Sequence, residues 1–529
     1  MKKVTKILTV LIASMLFSTA CIKDLDVTPL DPREVTSLTV FDSPESYKFA
    51  LAKLYAGLAI TGQEGPAGMA DISGIDEGFG QYLRALYYHQ VLTTDEAVIG
   101  WDDQTIKDYV YQAWGPGDVF LNAMYSRIYY QISLVNEFLR QTTDAKLNER
   151  GVEEQLRNEI QIYRAEARFL RALSYWHALD LFGSVPFVTE NDPLGTGFFP
   201  PQKTQEELFD FIEEELLEID EHLIEPMQNQ YGRADKAAAW MLLAKLYLNA
   251  EVYINTPHYN KVIEYSEKII NAGYDLANNF SHLFNADNNP IDNPDLREVI
   301  FAVRYDGNHT QTFGGTTFLI KAALGGDAMN SLDYGVDDKW GGLRTTRNIV
   351  ELFEDNDLRR TFFSDGHNLD IDDLSSFTDG YAVVKFTNLR RDGSPGSNLS
   401  FADTDFPMFR LADVYLMYAE AYLRGGGGSG TLAVEYFNKI RERAFGDDSQ
   451  NIATLTEDRN IDERARELLW EGHRRTDLIR FGRFAGEAYV WPWKGNVAEG
   501  IGTHERYNLF PIPFTDITAN PNLVQNPNY

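Results

Sequence analysis

The sequence has one cysteine, Cys21, in 529 residues. A single cysteine allows neither a disulfide nor a zinc–thiolate cluster within one chain. After the apolar run at 7–17, no segment reaches the roughly 18 apolar residues that a membrane-spanning helix needs. The sequence also lacks a Walker P-loop, an HExxH motif, a GxSxG motif and a dinucleotide-binding fingerprint after a strand. These absences argue against the common nucleotide-dependent, zinc-protease and α/β-hydrolase classes.

Positive charge is scarce as well. The chain has 79 acidic and 48 basic residues, for a formal net charge of −31. Such a surface repels phosphate backbones, so nucleic acid is not an expected partner and a neutral ligand fits better. The charge could also serve solubility alone. A glycosidase carboxylate pair needs only two acids about 5–10 Å apart, but no motif singles one out. We therefore predict that the chain is not an enzyme.

The first 20 residues have the pattern of a secretory signal peptide. Three lysines precede the apolar run at 7–17, and small residues at 18–20 stand directly before Cys21. A cysteine in this place resembles a bacterial lipobox, in which the cysteine is acylated. The polar stretch at 21–40 then fits a tether between the lipid and a folded domain. The alternative is an ordinary secreted protein with an incidental cysteine.

Helical patterns dominate residues 41–529, which we predict to form a single, mostly α-helical domain. Helices are expected to begin near Ser43, Asp118 and Thr204, and another is expected over 152–182. Two helix pairs, 234–252 with 259–272 and 410–423 with 431–444, combine a helix rich in small residues with one carrying an aromatic stripe. Each pair resembles a tetratricopeptide hairpin.

The regions between the helical patterns are less regular. Insertions are expected near 62–117 and 279–406, the second with strand-like runs at 298–306 and 380–388. Loops on a rigid scaffold often hold binding residues, so these insertions are where a site is expected.

Several segments resemble the SusD-like (RagB/SusD) family of outer-membrane nutrient-binding lipoproteins. They are RAEARFLRALSYWHALDLFGSVP at 164–186, GRADKAAAWMLLAKLYLN at 232–249, FRLADVYLMYAEAYLR at 409–424, ELLWEGHRRTDLIRF at 467–481 and NPNLVQNPNY at 520–529. The resemblance implies about four tetratricopeptide-like helix pairs that carry a glycan site built from loops, with no catalysis. It also implies docking on a SusC-type TonB-dependent transporter, on the outer face of the outer membrane.

The loops further resemble those of the starch-binding member after which the family is named. The resemblance implies that an arc of aromatic rings binds the sugar and that two polar side chains bond to its hydroxyls. The rings are Trp101 in IGWDD, Phe313 in QTFGG and Trp340 in DKWGG, and the polar groups are Arg84 in QYLRA and Gln104. Phe313 replaces a tyrosine of that member, and Gln104 replaces an asparagine.

The residue types suit sugar binding, because a sugar has an apolar C–H face and a polar edge. Glycine beside each of the three rings is expected to leave the ring faces free of Cβ bulk. The alternatives are loop packing for the rings and an ion pair for Arg84. Three further tryptophans fall inside helical patterns and are predicted to be core, namely Trp176, Trp240 and Trp470.

We therefore expect a surface lipoprotein that captures starch or maltooligosaccharide. One alternative is a different ligand, either another neutral glycan such as a β-glucan or a peptide. The other is that the protein is only a scaffold for protein interactions. No cofactor is expected. A structural Ca²⁺ ion is a lesser option, because Asp287, Asp403 and Asp405 supply carboxylate oxygens in loops.

Overall fold

The computed structural model describes residues 40–41, 43–195, 197–294 and 296–529. It divides after Tyr47, and the features discussed below belong to the second unit, Lys48–Tyr529. In the first unit, Pro44 begins the helix Pro44–Ala59, which continues into the second unit. The expected signal peptide, the acylated Cys21 and the tether up to residue 39 lie outside the described residues. Within those residues, no helix is both long and apolar enough to cross a membrane.

Seventeen α-helices and eight short strands make up most of the regular structure of the described residues, which confirms a mostly helical fold. The helices are α1 (Pro44–Ala59), α2 (Tyr82–Gln90), α3 (Lys107–Tyr111), α4 (Val119–Gln141), α5 (Asp144–Glu149), α6 (Glu154–Phe182), α7 (Gln205–Ile219), α8 (Lys236–Leu248), α9 (Ala250–Ile254), α10 (Tyr259–Ile270), α11 (Gly315–Ala323), α12 (Arg347–Val350), α13 (Leu411–Leu423), α14 (Gly430–Phe445), α15 (Glu457–Glu467), α16 (Arg474–Arg480) and α17 (Phe514–Ala519). The strands are β1 (Val98–Ile99), β2 (Val185–Pro186), β3 (Gln202–Lys203), β4 (Val299–Val303), β5 (Leu343–Arg344), β6 (Phe362–Phe363), β7 (Ala382–Val383) and β8 (Phe406–Arg410).

Side-chain caps set several helix starts where the sequence predicts them. Asp118 accepts a hydrogen bond from the Leu121 backbone N–H at the start of α4, and Thr204 opens α7 with a capping box. The predicted helix at 234–252 is instead broken into α8 and α9. Asn249 lies at the break, and its side-chain amide donates to the Lys245 carbonyl at 2.9 Å. An Asn side chain that bonds to the helix backbone in this way favours a helix end.

The helices pack as a continuous scaffold. Helix α8 packs on α10, and α13 packs on α14, so both predicted helix pairs form. Helix α10 also packs on α13, although the long insertion separates them in sequence. Earlier in the chain, α4 packs on α6 and α6 packs on α7. This arrangement agrees with a tetratricopeptide-like scaffold interrupted by insertions.

Short antiparallel strand pairs organise the insertions. Strand β4 pairs with β8, which continues directly into α13, so the two ends of the second insertion meet at the scaffold. Strand β1 pairs with β5, with Val98 opposite Arg344 and Ile99 opposite Leu343. Strand β4 falls inside the predicted run at 298–306, whereas only two residues of the run at 380–388 form a strand, β7.

The interior contains a network of buried ion pairs. Arg410 contacts Glu298, Glu467 and Glu471, all of them almost fully buried. Burial alone would raise the pKa of the nearby Glu463, but Arg359 and two further arginines outweigh it and lower that pKa to about 2. Glu467 and Glu471, two acidic residues of the stretch at 467–481, are therefore structural ion-pair partners.

Candidate functional site

Aromatic side chains surround the guanidinium of Arg84, which lies on α2 and is 5% exposed. Five half-buried rings form what we call the ring surface: Phe79, Trp101, Phe313, Trp340 and Phe401. The Arg84 guanidinium carbon lies 4.1 Å from the Phe79 ring centroid, 5.5 Å from that of Trp101 and 5.9 Å from that of Trp340. These distances are in the range of cation–π contacts. Arg84 thus contacts three of the five rings of the ring surface.

Hydrogen bonds fix the position of Arg84. Its Nε donates to the Tyr88 hydroxyl at 2.6 Å, and its Nη1 donates to the Phe313 carbonyl at 2.8 Å. Among the described residues, no carboxylate forms an ion pair with Arg84, so the ion-pair alternative is not observed. Nη2 forms no hydrogen bond to a described residue. The guanidinium is therefore held rigidly and keeps a donor for a ligand.

Backbone pairing places the Trp101 side chain against Gly342, which has no side chain. The Gly100 N–H donates to the Gly342 carbonyl at 2.9 Å, next to the β1–β5 pair. Gly342 has φ +97°, and a Cβ built on it would lie 2.4 Å from Trp101 Nε1. The indole can lie this close to the backbone because position 342 has no side chain.

Trp340 and Phe313 form the next part of the ring surface. Their ring centroids are 6.2 Å apart, and Phe313 also contacts Phe401 with a centroid separation of 5.5 Å. The backbone N–H of Trp340 donates to the backbone carbonyl of Lys321 on α11 at 2.9 Å. Lys321 Nζ in turn bonds to Asp337 at 2.7 Å. The loop that holds Trp340 is therefore anchored to a helix at two points.

Four of the five predicted binding residues come together, and Gln104 does not. Arg84, Trp101, Phe313 and Trp340 are connected by the contacts above. Gln104 lies in an exposed loop with φ 40° and forms no hydrogen bond to a described residue. A positive φ is uncommon for a residue with a side chain. Gln104 is thus exposed near the start of α3, and no hydrogen bond to a described residue links it to the ring surface.

The structure adds three aromatic residues that were not predicted from the sequence: Phe79 and Phe401 in the ring surface, and Phe377 beside it. Phe377 is 37% exposed and packs on two glycines that flank the ring surface. A Cβ on Gly100 would lie 2.7 Å from Phe377 Cε1, and one on Gly341 would lie 2.8 Å from Phe377 Cδ2. Phe79, Phe377 and Phe401 all stand among Ser, Asp or Gly residues. Trp101 in IGWDD has neighbours of the same kind, so this setting could have identified them.

The predicted core tryptophans are partly confirmed. Trp176 and Trp470 are buried, at 8% and 1% exposure. Trp240 is half-buried instead, and its Nε1 donates to Asp220 at 2.6 Å.

The acids named as possible calcium ligands are used in hydrogen bonds. Asp403 Oδ1 accepts from the Gly307 N–H and Asp405 Oδ1 from the Tyr305 N–H, both at 2.7 Å. Asp287 forms an ion pair with Arg391 at 2.8 Å. Across the described part of the chain, no group of three or more His, Cys, Asp or Glu residues could hold a metal ion.

Comparison with known proteins defines the class of this protein. Its sequence matches the SusD family over residues 359–529 and a family described as "Starch-binding associating with outer membrane" over residues 82–248. The chain belongs to the SusD family. Proteins of this family bind carbohydrate and are not catalytic, which confirms the prediction that the chain is not an enzyme. The family is associated with the outer membrane.

The chain is 38% identical to Starch-binding protein SusD of Bacteroides thetaiotaomicron, over 97% of this chain and 96% of that protein. It is 28% identical to SusD-like protein P25 of Formosa agariphila, over 68% of this chain and 71% of that one. Solved structures share the fold. A SusD superfamily protein of Parabacteroides distasonis has a TM-score of 0.70 at 22% identity, covering 94% of this chain and 100% of that one. Surface glycan-binding protein A of Bacteroides thetaiotaomicron, in complex with laminarihexaose, has a TM-score of 0.66 at 22% identity, covering 92% of this chain and 99% of that one.

Proposed function

We propose that this protein binds a neutral α-glucan, starch or maltooligosaccharide, on the ring surface. The observation that supports this most is the set of half-buried rings around Arg84, a cation with no ion-pair partner among the described residues. Flat rings bury the apolar face of a sugar, while the free Arg84 donor can bond to a hydroxyl at its edge. The similarity to Starch-binding protein SusD favours an α-glucan.

The charge of the chain supports a neutral ligand. A net charge of −31 opposes the approach of uronic or sulfated polysaccharides. Affinity for an uncharged glucan depends instead on ring stacking and hydrogen bonds. Gln104 would contribute its amide from the exposed loop, at the edge of the bound sugar.

The proposal includes delivery of the glycan to a SusC-type TonB-dependent transporter in the outer membrane. The lipobox-like position of Cys21 supports a lipid anchor, and the association of the family with the outer membrane supports this location. We propose that the anchored protein faces the cell exterior. Co-purification of a transporter of this class with the lipidated protein would test the partnership. If no such transporter co-purifies from the membrane fraction, the partnership is contradicted.

Electrophoretic mobility in gels containing polysaccharide tests the ligand. We expect amylopectin to retard the wild-type protein and Trp101→Ala to abolish that retardation, because the indole supplies a stacking face. Trp240→Ala removes another half-buried tryptophan that lies outside the ring surface, and should bind as wild type does. Retardation by laminarin instead of amylopectin would indicate a β-glucan ligand. Equal mobility of Trp101→Ala and wild type would contradict the site.

A further inference from the structure

A cavity of about 310 Å³ lies between α1, the loop at 230–233 and β4. It shares no lining residue with the ring surface. Cavities that bind small molecules begin at about 300 Å³ and are mostly apolar, with a few polar groups that orient the ligand. The size of this cavity therefore fits a small molecule.

The walls of the cavity are apolar. Leu51 and Leu58 contribute from α1, and Phe301 and Val303 contribute from β4. Tyr55 also lines the cavity, but its hydroxyl donates to Glu166 at 2.6 Å and accepts from the backbone at 2.9 Å. Tyr55 therefore offers its ring to the cavity and not a free hydroxyl. Walls of this kind match a hydrocarbon better than the hydroxyl-rich edge of a sugar.

The charged residues that line the cavity are all cationic: Lys48, Arg233 and Arg304. No Asp or Glu is found among its described lining residues. Arg233 is neutralised by Glu166, to which its Nε donates at 3.0 Å. Lys48 and Arg304 are exposed and form no ion pair with any residue in the described ranges. Two cations at one apolar cavity, neither with an ion-pair partner in the described part of the chain, stand out in a protein with a net charge of −31.

We propose that this cavity binds a small anionic amphiphile, such as a medium-chain fatty carboxylate. The hydrocarbon body would occupy the space between α1 and β4, and the anionic head would pair with Arg304 and Lys48 at the rim. A neutral hydrocarbon would leave the two cations without a partner. A cationic amphiphile would be repelled at the rim, although the chain as a whole attracts it.

Three probes with the same alkyl chain test this proposal. We would titrate the full-length protein with decanoate, 1-decanol and decyltrimethylammonium by calorimetry, each below the concentration at which it aggregates. The expected order is decanoate tightest, with 1-decanol and the cation weaker by about tenfold or more, because a charge-assisted contact is lost. Non-specific attraction to the acidic surface would produce the opposite order for the two ions. A preference for the cation, or equal binding of all three probes, would overturn the proposal.

Two variants then locate the binding. Arg304→Gln should weaken the affinity for decanoate by about tenfold, because the carboxylate head loses a charged partner. The affinity for 1-decanol should not change. Arg459→Gln removes an exposed arginine that does not line the cavity, and should change neither affinity. Ala56→Phe fills space at the wall of the cavity and should remove decanoate binding. Retardation of this variant in gels containing amylopectin would show that its fold is intact. Decanoate binding that is unaltered in Arg304→Gln would overturn the proposed site.

Discussion

The Arg84 guanidinium donates to the carbonyl oxygen of Phe313 at 2.8 Å and so ties α2 to the loop that presents the Phe313 ring. Arg84 also bonds to Tyr88 and lies over the Phe79 ring. A single planar group therefore supports the rings and offers a donor to the ligand. The compact ammonium of lysine cannot make the same fork of contacts.

We predict that Arg84→Lys weakens amylopectin binding by about tenfold, as expected for the loss of a charge-assisted hydrogen bond. The free energy of unfolding should fall by about 1–3 kcal/mol, because the Phe313 carbonyl loses its buried donor. Affinity electrophoresis and urea denaturation measure the two effects. Arg459→Lys serves as the exposed control. Wild-type affinity in Arg84→Lys would show that this side chain does not contribute to the site.

Gly342→Ala tests whether the bare backbone under Trp101 matters. The new Cβ would lie 2.4 Å from the indole, so the ring must move, and we expect glycan affinity to fall by about tenfold or more. Gly393→Ala is a matched control, because φ there is +83° and no atom lies within 4 Å of the new Cβ. Both variants pay the cost of a positive φ. If both lose affinity equally, backbone strain and not the indole position is responsible.

Phe377 should take part in binding, because it lies exposed on the glycines that flank the ring surface. Phe377→Ala is expected to weaken amylopectin binding several-fold, with a melting temperature close to that of wild type, as for other exposed side chains. Phe514→Ala removes a phenylalanine that is 60% exposed on α17 and should have no effect on binding. Unchanged mobility of Phe377→Ala in the gel would exclude Phe377 from the site.

The buried ion-pair network should contribute to the stability of the fold and not to glycan affinity. Glu467 pairs with Arg410, Arg359 and Arg443, so Glu467→Gln removes a buried carboxylate that three arginines share. We expect the free energy of unfolding to fall by about 3–5 kcal/mol. Glu457→Gln removes an exposed acid 3.9 Å from Arg424 and should cost at most about 1 kcal/mol. Glycan affinity of the folded Glu467→Gln protein should equal that of wild type, and a specific loss would contradict a structural role.

Glu96 should make stability depend on pH. Burial raises the pKa of its carboxyl from 4.5 to about 8, against the opposing effect of Arg474. The folded state then holds more protons than the unfolded state between these values, so the free energy of unfolding falls as pH rises through this window. The slope attributable to Glu96 is at most about 1.4 kcal/mol per pH unit.

Glu96→Gln should flatten that slope, because glutamine keeps an acceptor for the backbone N–H of Trp470 without titrating. Urea denaturation at several values between about pH 5 and pH 8 measures it. Glu463 acts in the opposite direction, since its pKa is lowered to about 2 and its contribution is lost as pH falls from 4.5 toward that value. An identical slope in wild type and Glu96→Gln would show that Glu96 is not the group that titrates.

Local chemistry explains what could be predicted from the sequence. The starts of α4 and α7 depend on caps within three residues of Asp118 and Thr204, and the predicted helix starts agree. The break at Asn249 was not predicted, because an Asn in a helical pattern does not reveal whether its side chain will bond to the backbone.

The site depends on contacts between distant parts of the chain. Trp101 reaches Gly342 through the β1–β5 pair, and two-residue strands leave almost no pattern in a sequence. That Arg84 has no ion-pair partner among the described residues is likewise a property of the folded surroundings, which the sequence alone does not show. Resemblance to a family supplied the aromatic positions, but their mutual geometry required the structure.

The β4–β8 pair closes the second insertion at its base, so Phe313, Trp340, Phe377 and Phe401 all lie on one segment that leaves and re-enters the scaffold at neighbouring points. Such a segment can be exchanged as a cassette between relatives without cutting a helix. Most of the ring surface would change in one recombination event, while Arg84 and Trp101 would stay in place. A new set of rings could therefore be introduced without any change to the helices of the scaffold.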